Sequence, residues 1–400
     1  MRSVTWENER ATETARPTGL CWSARFKDGS EQKKGEGTPR FTLCVADRQA
    51  LEYVLSTDAY SAAAAFIRGG FDVEGDLEAA IRFRGWHPRS GVRKYILGAL
   101  ARGAERFQSS FQTRAQAARN IRFHYDRSND FYRLFLDPRM VYSCAYFRTP
   151  ETTLEEAQIA KLDLICRKLD LQPGEHFLDV GCGWGALVAH AAGQYGVAAT
   201  GCTLSRAQHD HALATLRGRA DVFECDYRNL GGSYDKIASI GMFEHVGRRR
   251  AHEYFHKLAG LLEPNGLLLN HAIARPAGDQ EDASNLFVRR HIFPGAELIY
   301  LWETLRAAEE SGFEVLDVEN LRPHYALTCR QWLHRLTGQR EAALRIVNEA
   351  TIRTWRIWLA ACALSFEEGC SSVYQVLMSK RGAPRRRMTR EHMHPDIGRR

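Results

Sequence analysis

The chain has 400 residues, 44% apolar and 26% charged, which excludes low-complexity and collagen-like polymers and predicts a globular protein of about two domains with a sizeable core. Its formal net charge of +7 comes without any nucleic-acid motif, and its ten cysteines are scattered with no C-x-x-C pair and no Cys/His cluster, so neither nucleic acid, a disulfide framework nor a metal site is expected. The N-terminal "MRSVTWENERATETARPTG" lacks the apolar centre of a secretory signal, and the best apolar run, "IWLAACALSF", is too short to span a bilayer, so the expected compartment is the cytoplasm.

In chain order, residues 1–40 are polar and rich in Gly, Lys and Glu and read as a flexible lead-in. Residues 41–115 read as a small N-terminal domain followed by a helical, arginine-bearing connector, with ordered structure starting at "FTLCVADRQALEYVL". Residues 116–381 carry alternating short apolar runs and helical patterns, the signature of a parallel sheet with helices on both faces. Seven strands are expected: "HFLDVG", "VAATGCTL", "ADVFECD", "YDKIASIG", "GLLLNHAI", "FEVLDVEN" and "SVYQVLMS". A helical insertion from Pro323 to about Glu368 separates the last two and is expected to cover the mouth of the sheet. From Lys380 onward, eight Lys/Arg against two acids hold six of the seven net charges. Residues 382–400 therefore read as a basic disordered tail, either drawn to an anionic membrane surface or simply solvated.

The first strand runs into Gly181-Cys182-Gly183-Trp184-Gly185-Ala186. The dinucleotide spacing G-x-G-x-x-G is met only if Ala186 replaces the third glycine, and the second strand ends in Thr203-Leu204-Ser205 with no acid for a ribose, which disfavours a nicotinamide cofactor. Asp179 before the loop, with Asp226 and Tyr227 after the third strand, suits a ligand carrying amine and adenine donors, namely S-adenosylmethionine. Gly181 and Gly183 are expected to let the backbone approach its methionine portion.

The blocks "HYDRSNDFYRLFLDPRMVYSCAYF", "LDVGCGWGALV", "GMFEHVG", "HIFPG" and "LRPHYALT" together resemble the cyclopropane-fatty-acyl-phospholipid synthases and mycolic acid cyclopropane synthases over roughly residues 120 to 381. The resemblance implies a seven-stranded Rossmann-like α/β methyltransferase with a small lipid-binding-like N-terminal domain. It implies a reaction in which S-adenosylmethionine alkylates the cis double bond of an unsaturated phospholipid acyl chain and a cyclopropane ring forms, with bound bicarbonate as base. The implied bicarbonate site is Cys144, Glu244, His271, Ile273 and Tyr325; Cys362 matches a proposed active-site cysteine but reads as a channel or core residue. The implied cofactor set is Tyr142, Ser143, Asp179, Gly181, Cys182, Gly183, Trp184, Gly185, Thr203, Leu204, Gln208, Asp226 and Tyr227. Trp184 is placed to offer cation–π attraction to the sulfonium. Peripheral contact with an anionic inner membrane surface and a homodimer are further expectations. Departures from the family pattern at "AELIY", Ala272 and Cys329 leave chain length, head group and product open. The alternatives are a methyl-branched or methylene product, a small-molecule methyltransferase, and an idle lipid-binding accessory.

Overall fold

Two units divide the chain at Ser90/Gly91, and the computed structural model describes residues 20–57, 59–84, 128–277, 292, 297–384 and 387–394. The expected connector and most of "HIFPG" lie outside the described residues.

In the first unit, strand β1 (Trp22–Phe26) pairs antiparallel with β2 (Glu31–Lys34) and parallel with β3 (Phe41–Val45), which pairs antiparallel with β4 (Asp72–Gly75). Helix α1 (Arg48–Ser56) starts at Asp47, whose carboxylate accepts from the Ala50 N–H, satisfying an otherwise orphaned donor. Helices α2 (Ala59–Ile67) and α3 (Leu77–Arg84) complete its described part. The flexible lead-in to residue 40 is corrected here: Trp22, Ala24 and Phe26 are core residues, and Trp22 packs on Phe41 and Phe83 at 6.0 and 4.9 Å. The reading failed because β2, "EQKK", is an exposed strand with no apolar position, so β1 looked isolated in a polar stretch.

The second unit begins, among its described residues, with α4 (Asn129–Arg133) and α5 (Leu154–Lys168), the latter opened by a Thr153/Glu156 capping box. There follow β5 (His176–Val180), α6 (Ala186–Tyr195), β6 (Ala198–Thr203), α7 (Arg206–Leu216), β7 (Asp221–Glu224), β8 (Tyr234–Ile240), α8 (Ala251–Leu261), β9 (Leu262–Arg275), β10 (Ile299–Tyr300), α9 (Leu301–Glu310) and β11 (Phe313–Asn320). Helices α10 (Arg322–Gly338), α11 (Arg340–Leu344) and α12 (Glu349–Glu368) separate β11 from β12 (Ser372–Lys380). The strand order is β11-β12-β9-β8-β5-β6-β7, parallel except for β12, with two-residue β10 alongside the end of β9. All seven expected strands form, and the expected insertion is α10 to α12. Central β5 is buried from Phe177 to Val180, as a strand covered on both faces requires.

The disordered tail is also corrected for its described part. Arg387 pairs with Asp170 at 2.9 Å and Arg390 with Asp317 at 2.5 Å. Met393 is buried in the cluster that contains Leu162 and Ile165, and its carbonyl accepts from Arg167 Nε at 3.1 Å. The acids that fix the segment lie 70 to 220 residues away in sequence, so local composition shows only its charge. No helix among the described residues is long and apolar enough to cross a membrane.

Candidate active site

Strand order reverses at β5, which has β6 on one side and β8 on the other. Ligand crevices open beyond the carboxyl ends of strands at such a point, and a cleft open to solvent, with about 1170 Å³ of atom-free space including its mouth, lies there. It is lined by Tyr142, Ser143, Asp179, Gly181, Cys182, Gly183, Trp184, Thr203, Leu204, Gln208, Asp226 and Tyr227, so one site gathers every expected cofactor residue but Gly185.

The loop after β5 is tied to β6 by the N–H groups of Gly181 and Cys182, which both donate to the Cys202 carbonyl at 3.0 and 2.9 Å. Gly183 has φ +56°, and a Cβ there would meet nothing within 4 Å, so its backbone is bare toward open space. Gly181 has φ +81°, and a Cβ on it would meet the Met242 side chain at 2.8 Å. Gly185 is a packing residue, its missing Cβ allowing α6 to approach Ala212 of α7.

Asp179, next to last in β5, has its carboxyl buried and Oδ1 unpartnered, and desolvation raises its pKa to about 7. At the end of β6, Thr203 Oγ1 donates to Gln208 Oε1 at 2.8 Å, and Ser205 caps α7. Past β7, Asp226 accepts from Arg228 N and Nε at 3.0 and 2.8 Å, so its carboxylate is already partly committed. Trp184 donates through Nε1 to Asn129 at 2.8 Å and packs on Tyr132 at 5.0 Å.

Behind the cleft lies an aromatic cluster built from residues 131–147 and the insertion. Phe131, Tyr132, Phe135, Trp332, Trp355, Leu359 and Phe366 form its buried body, with Cys144, Ile273, Tyr325 and Cys362 in the same cluster. Glu244, in the turn Phe243–His245 after β8, accepts from the Ile273 N–H at 2.7 Å through Oε1; its Oε2 is buried without a partner. Desolvation raises its pKa to about 7. His271, two residues before Ile273 on β9, has Nδ1 3.2 Å from Gln375 Nε2 on β12, while Nε2 is buried and unpartnered. Burial lowers its pKa to about 3 and keeps the ring neutral. Tyr325 stacks on Phe366 at 4.4 Å, and its pKa is raised first by desolvation and then by Cys329, Cys144, Glu244 and Cys362, which places these groups around it. The Cys144 thiol donates to the Leu321 carbonyl at 3.7 Å, and its pKa lies well above the usual range through burial. Of the six expected catalytic residues, Cys144, Ile273, Tyr325 and Cys362 share this apolar cluster, Glu244 reaches it through the Ile273 N–H, and His271 lies two residues along β9.

The sequence profile of the mycolic acid cyclopropane synthetase family matches residues 112–376. The chain belongs to this family. Its members are S-adenosylmethionine-dependent methyltransferases. The chain is 38% identical over 371 residues to a probable fatty acid methyltransferase of Pseudomonas putida, covering 88% of this chain and 90% of that protein. It is 37% identical over 278 residues to cyclopropane mycolic acid synthase 3 of Mycobacterium tuberculosis, covering 65% of this chain and 96% of that one. The solved structure of the cyclopropane synthase MmaA2 from Mycobacterium tuberculosis superposes with a TM-score of 0.64 at 35% identity, covering 66% of this chain and 98% of that one. Mycolic acid cyclopropane synthase CmaA1, solved with S-adenosylhomocysteine and CTAB, gives 0.63 at 36%, with the same coverages.

Against this family background, several residues escaped the sequence reading. Lys161, Cys225, Arg228, Met242 and His245 line the cleft, and Trp332 and Trp355 build the chamber. One signal was available: on α5, Leu154, Gln158, Lys161 and Ile165 fall on one helical stripe, so two polar side chains sit among core positions.

Proposed function

We propose that this chain transfers a methylene unit from S-adenosylmethionine to the cis double bond of an unsaturated phospholipid acyl chain, closing a cyclopropane ring with bicarbonate as base. The observation that carries the reading is the pair of buried, unpartnered atoms Glu244 Oε2 and His271 Nε2, one held by the N–H of Ile273, which packs on the aromatic cluster, and the other two residues before it on β9. Burying such groups without partners is costly, so a small polar guest is the economical explanation for both.

When bound, S-adenosylmethionine supplies an electrophilic methyl group and bicarbonate supplies the base. The chain's own residues hold, orient and keep dry. The bare backbone at Gly183, the Asp179 carboxyl and Gln208 hold the methyl donor, and Tyr142 and Trp184 wall it. An alkene is a poor nucleophile and its methylation leaves a cation that water captures, so the chamber of Phe131, Phe135, Trp332 and Trp355 excludes solvent. Glu244, half protonated near neutrality, donates a hydrogen bond to the anion from Oε2 while Oε1 stays fixed by Ile273 N–H. With Gln375 donating to Nδ1, neutral His271 carries its proton on Nε2 and donates as well. The Tyr325 hydroxyl, held protonated by burial, completes the set, with Cys144 walling it and Cys362 a chamber residue.

The nearly full-length match to a probable fatty acid methyltransferase supports an acyl substrate. Peripheral contact with an anionic membrane rests on the composition of residues 380–400, with eight Lys/Arg against two acids. Mass spectrometry of lipids from cells expressing the chain tests the reading. A CH2 increment on monounsaturated phospholipid, resolved as a ring by NMR, is expected; a methyl-branched or methylene product replaces the ring outcome, and unchanged acyl chains reject the reading.

A further inference from the structure

A surface patch at the carboxyl end of the sheet has no work in the reading above. On α9, Leu301, Thr304, Leu305 and Ala308 form the inward stripe, and a surface helix asks for polar residues opposite such a stripe. Trp302 breaks that pattern. It stands 54% exposed, the most exposed Phe, Tyr or Trp among the described residues. Its ring stacks on Tyr300, 6.1 Å away and 10° from parallel. The Tyr300 ring in turn meets two guanidiniums, Arg248 at 5.6 Å and Arg275 at 5.4 Å. Arg248 pairs with Glu303 at 3.2 Å and with Glu297 at 3.9 Å, and it remains exposed beside Arg249. The patch therefore sets three arginines against two acids around a stacked aromatic pair.

Backbone pairing ties this patch to the proposed reaction site. β10 pairs with the end of β9, Ile299 with Ala274 and Tyr300 with Arg275, so Tyr300 stands two ladder positions past Ile273. The Glu297 N–H donates to the Glu244 carbonyl at 3.1 Å, and the Arg248 N–H donates to the Glu297 carboxylate at 2.9 Å. The arginines are thus fixed to the turn that carries Glu244. Tryptophan and tyrosine settle at the headgroup level of a bilayer, where an apolar ring and a polar edge are both satisfied, and guanidiniums fork onto phosphate. An anionic bilayer, with phosphate above hydrocarbon, complements both parts of the patch. Resting on a phospholipid acyl chain as substrate, we propose that Trp302 and Tyr300, with Arg248, Arg249 and Arg275, form a membrane-docking face that brings the acyl chain in beside Ile273. Its anchor differs in kind from the basic tail: charge attraction is screened by salt, whereas burial of the Trp302 ring in lipid is not.

The test is co-sedimentation of the full chain with vesicles of phosphatidylglycerol and phosphatidylcholine at low and high salt, with S-adenosylhomocysteine affinity as the check on folding. Trp302→Ala is expected to weaken vesicle partitioning by about tenfold at both salt concentrations. The double variant Arg248→Gln, Arg249→Gln is expected to weaken it by about fivefold at low salt only. Neither should change S-adenosylhomocysteine affinity. Wild-type partitioning in Trp302→Ala overturns the docking face and leaves the proposed reaction standing, as does a Trp302→Ala loss that vanishes at high salt. A wild-type dimer that Trp302→Ala converts to monomer in sedimentation velocity gives the patch to a second copy of the chain and also overturns the face. Trp302-dependent docking by a chain that leaves acyl chains unchanged supports the face and overturns the reaction, so the two failures are distinct.

Discussion

The open cleft and the aromatic cluster that shares Tyr142 and Trp184 with it are built in opposite ways. The cleft is assembled from strand ends that are consecutive in sequence, β5, β6 and β7, each handing its last residues to a loop. The cluster joins residues 131–147, Ile273 near the end of β9 and the helices inserted before β12, with the turn after β8 tied to it by Glu244. Local turns suffice to hold a soluble, charged cofactor, whereas keeping water off a hydrocarbon needs walls contributed from far apart. Burial also sets the ionisable groups differently: in the cleft it lowers the Lys161 pKa to about 8 and raises that of Asp179 to about 7, while on β9 it keeps His271 neutral and after β8 it raises Glu244 to about 7.

The strongest way to break this division is Glu244→Leu, which removes both the Oε2 donor and the Oε1 acceptor. It is expected to lower kcat by about a thousandfold while leaving S-adenosylhomocysteine affinity within a few-fold, in line with removal of one group acting at the reacting centre. A variant turning over at the wild-type rate takes Glu244 out of the mechanism.

Asp179→Asn should move the opposite quantity, weakening S-adenosylhomocysteine by about thirtyfold, as loss of a charge-assisted bond predicts. It carries a second signature in stability. The folded pKa of Asp179, about 7, lies above its unfolded value of 3.8, so the wild type loses stability as pH rises from about 4 to 7. The ligand-free variant is spared that loss, which is bounded at roughly 4 kcal/mol by the size of the shift. Thermal melts of the empty protein should therefore show the variant more stable at pH 8, with the gap closing toward pH 4; a gap independent of pH contradicts the assignment.

Tyr325→Phe keeps the stacking on Phe366 and deletes only the hydroxyl. Steady-state kinetics should show a fall of about tenfold in kcat with unchanged donor affinity, the loss of one hydrogen bond. A smaller effect is expected from deleting residues 382–400. The Arg390–Asp317 pair is exposed on the arginine side, so each such contact is worth about 0–1 kcal/mol. The truncated protein should melt a few degrees lower and bind anionic vesicles less tightly at low salt only, as screening requires. Vesicle binding that is unchanged at low salt assigns the tail to domain packing alone.

Legibility in the sequence followed the same division. The run "HFLDVGCGWGALV" announces a strand, a left-handed turn and a helix by local chemistry alone, and the cleft was found with it. Cys144, Glu244, His271, Ile273 and Tyr325 carry no mutual spacing signal, and only their resemblance to family blocks joined them before the fold did. Lys161 stayed hidden because a lysine in a helix reads as solvent-facing until its neighbours on the stripe, Leu154 and Ile165, are seen to be buried. The ordered segments Trp22–Phe26 and 387–394 were missed because their partners, β3 and the acids Asp170 and Asp317, lie elsewhere in the chain.

The most direct measurement supplies S-adenosylmethionine bearing a trideuterated methyl group to the purified chain with vesicles of cis-monounsaturated phospholipid, followed by NMR and mass spectrometry of the product. A chamber that takes a proton from the transferred carbon predicts a cis-cyclopropane in the acyl chain whose new carbon has lost one deuterium. Label that keeps all its deuterium in the acyl chain, appears on the head group, or never enters the lipid contradicts the account.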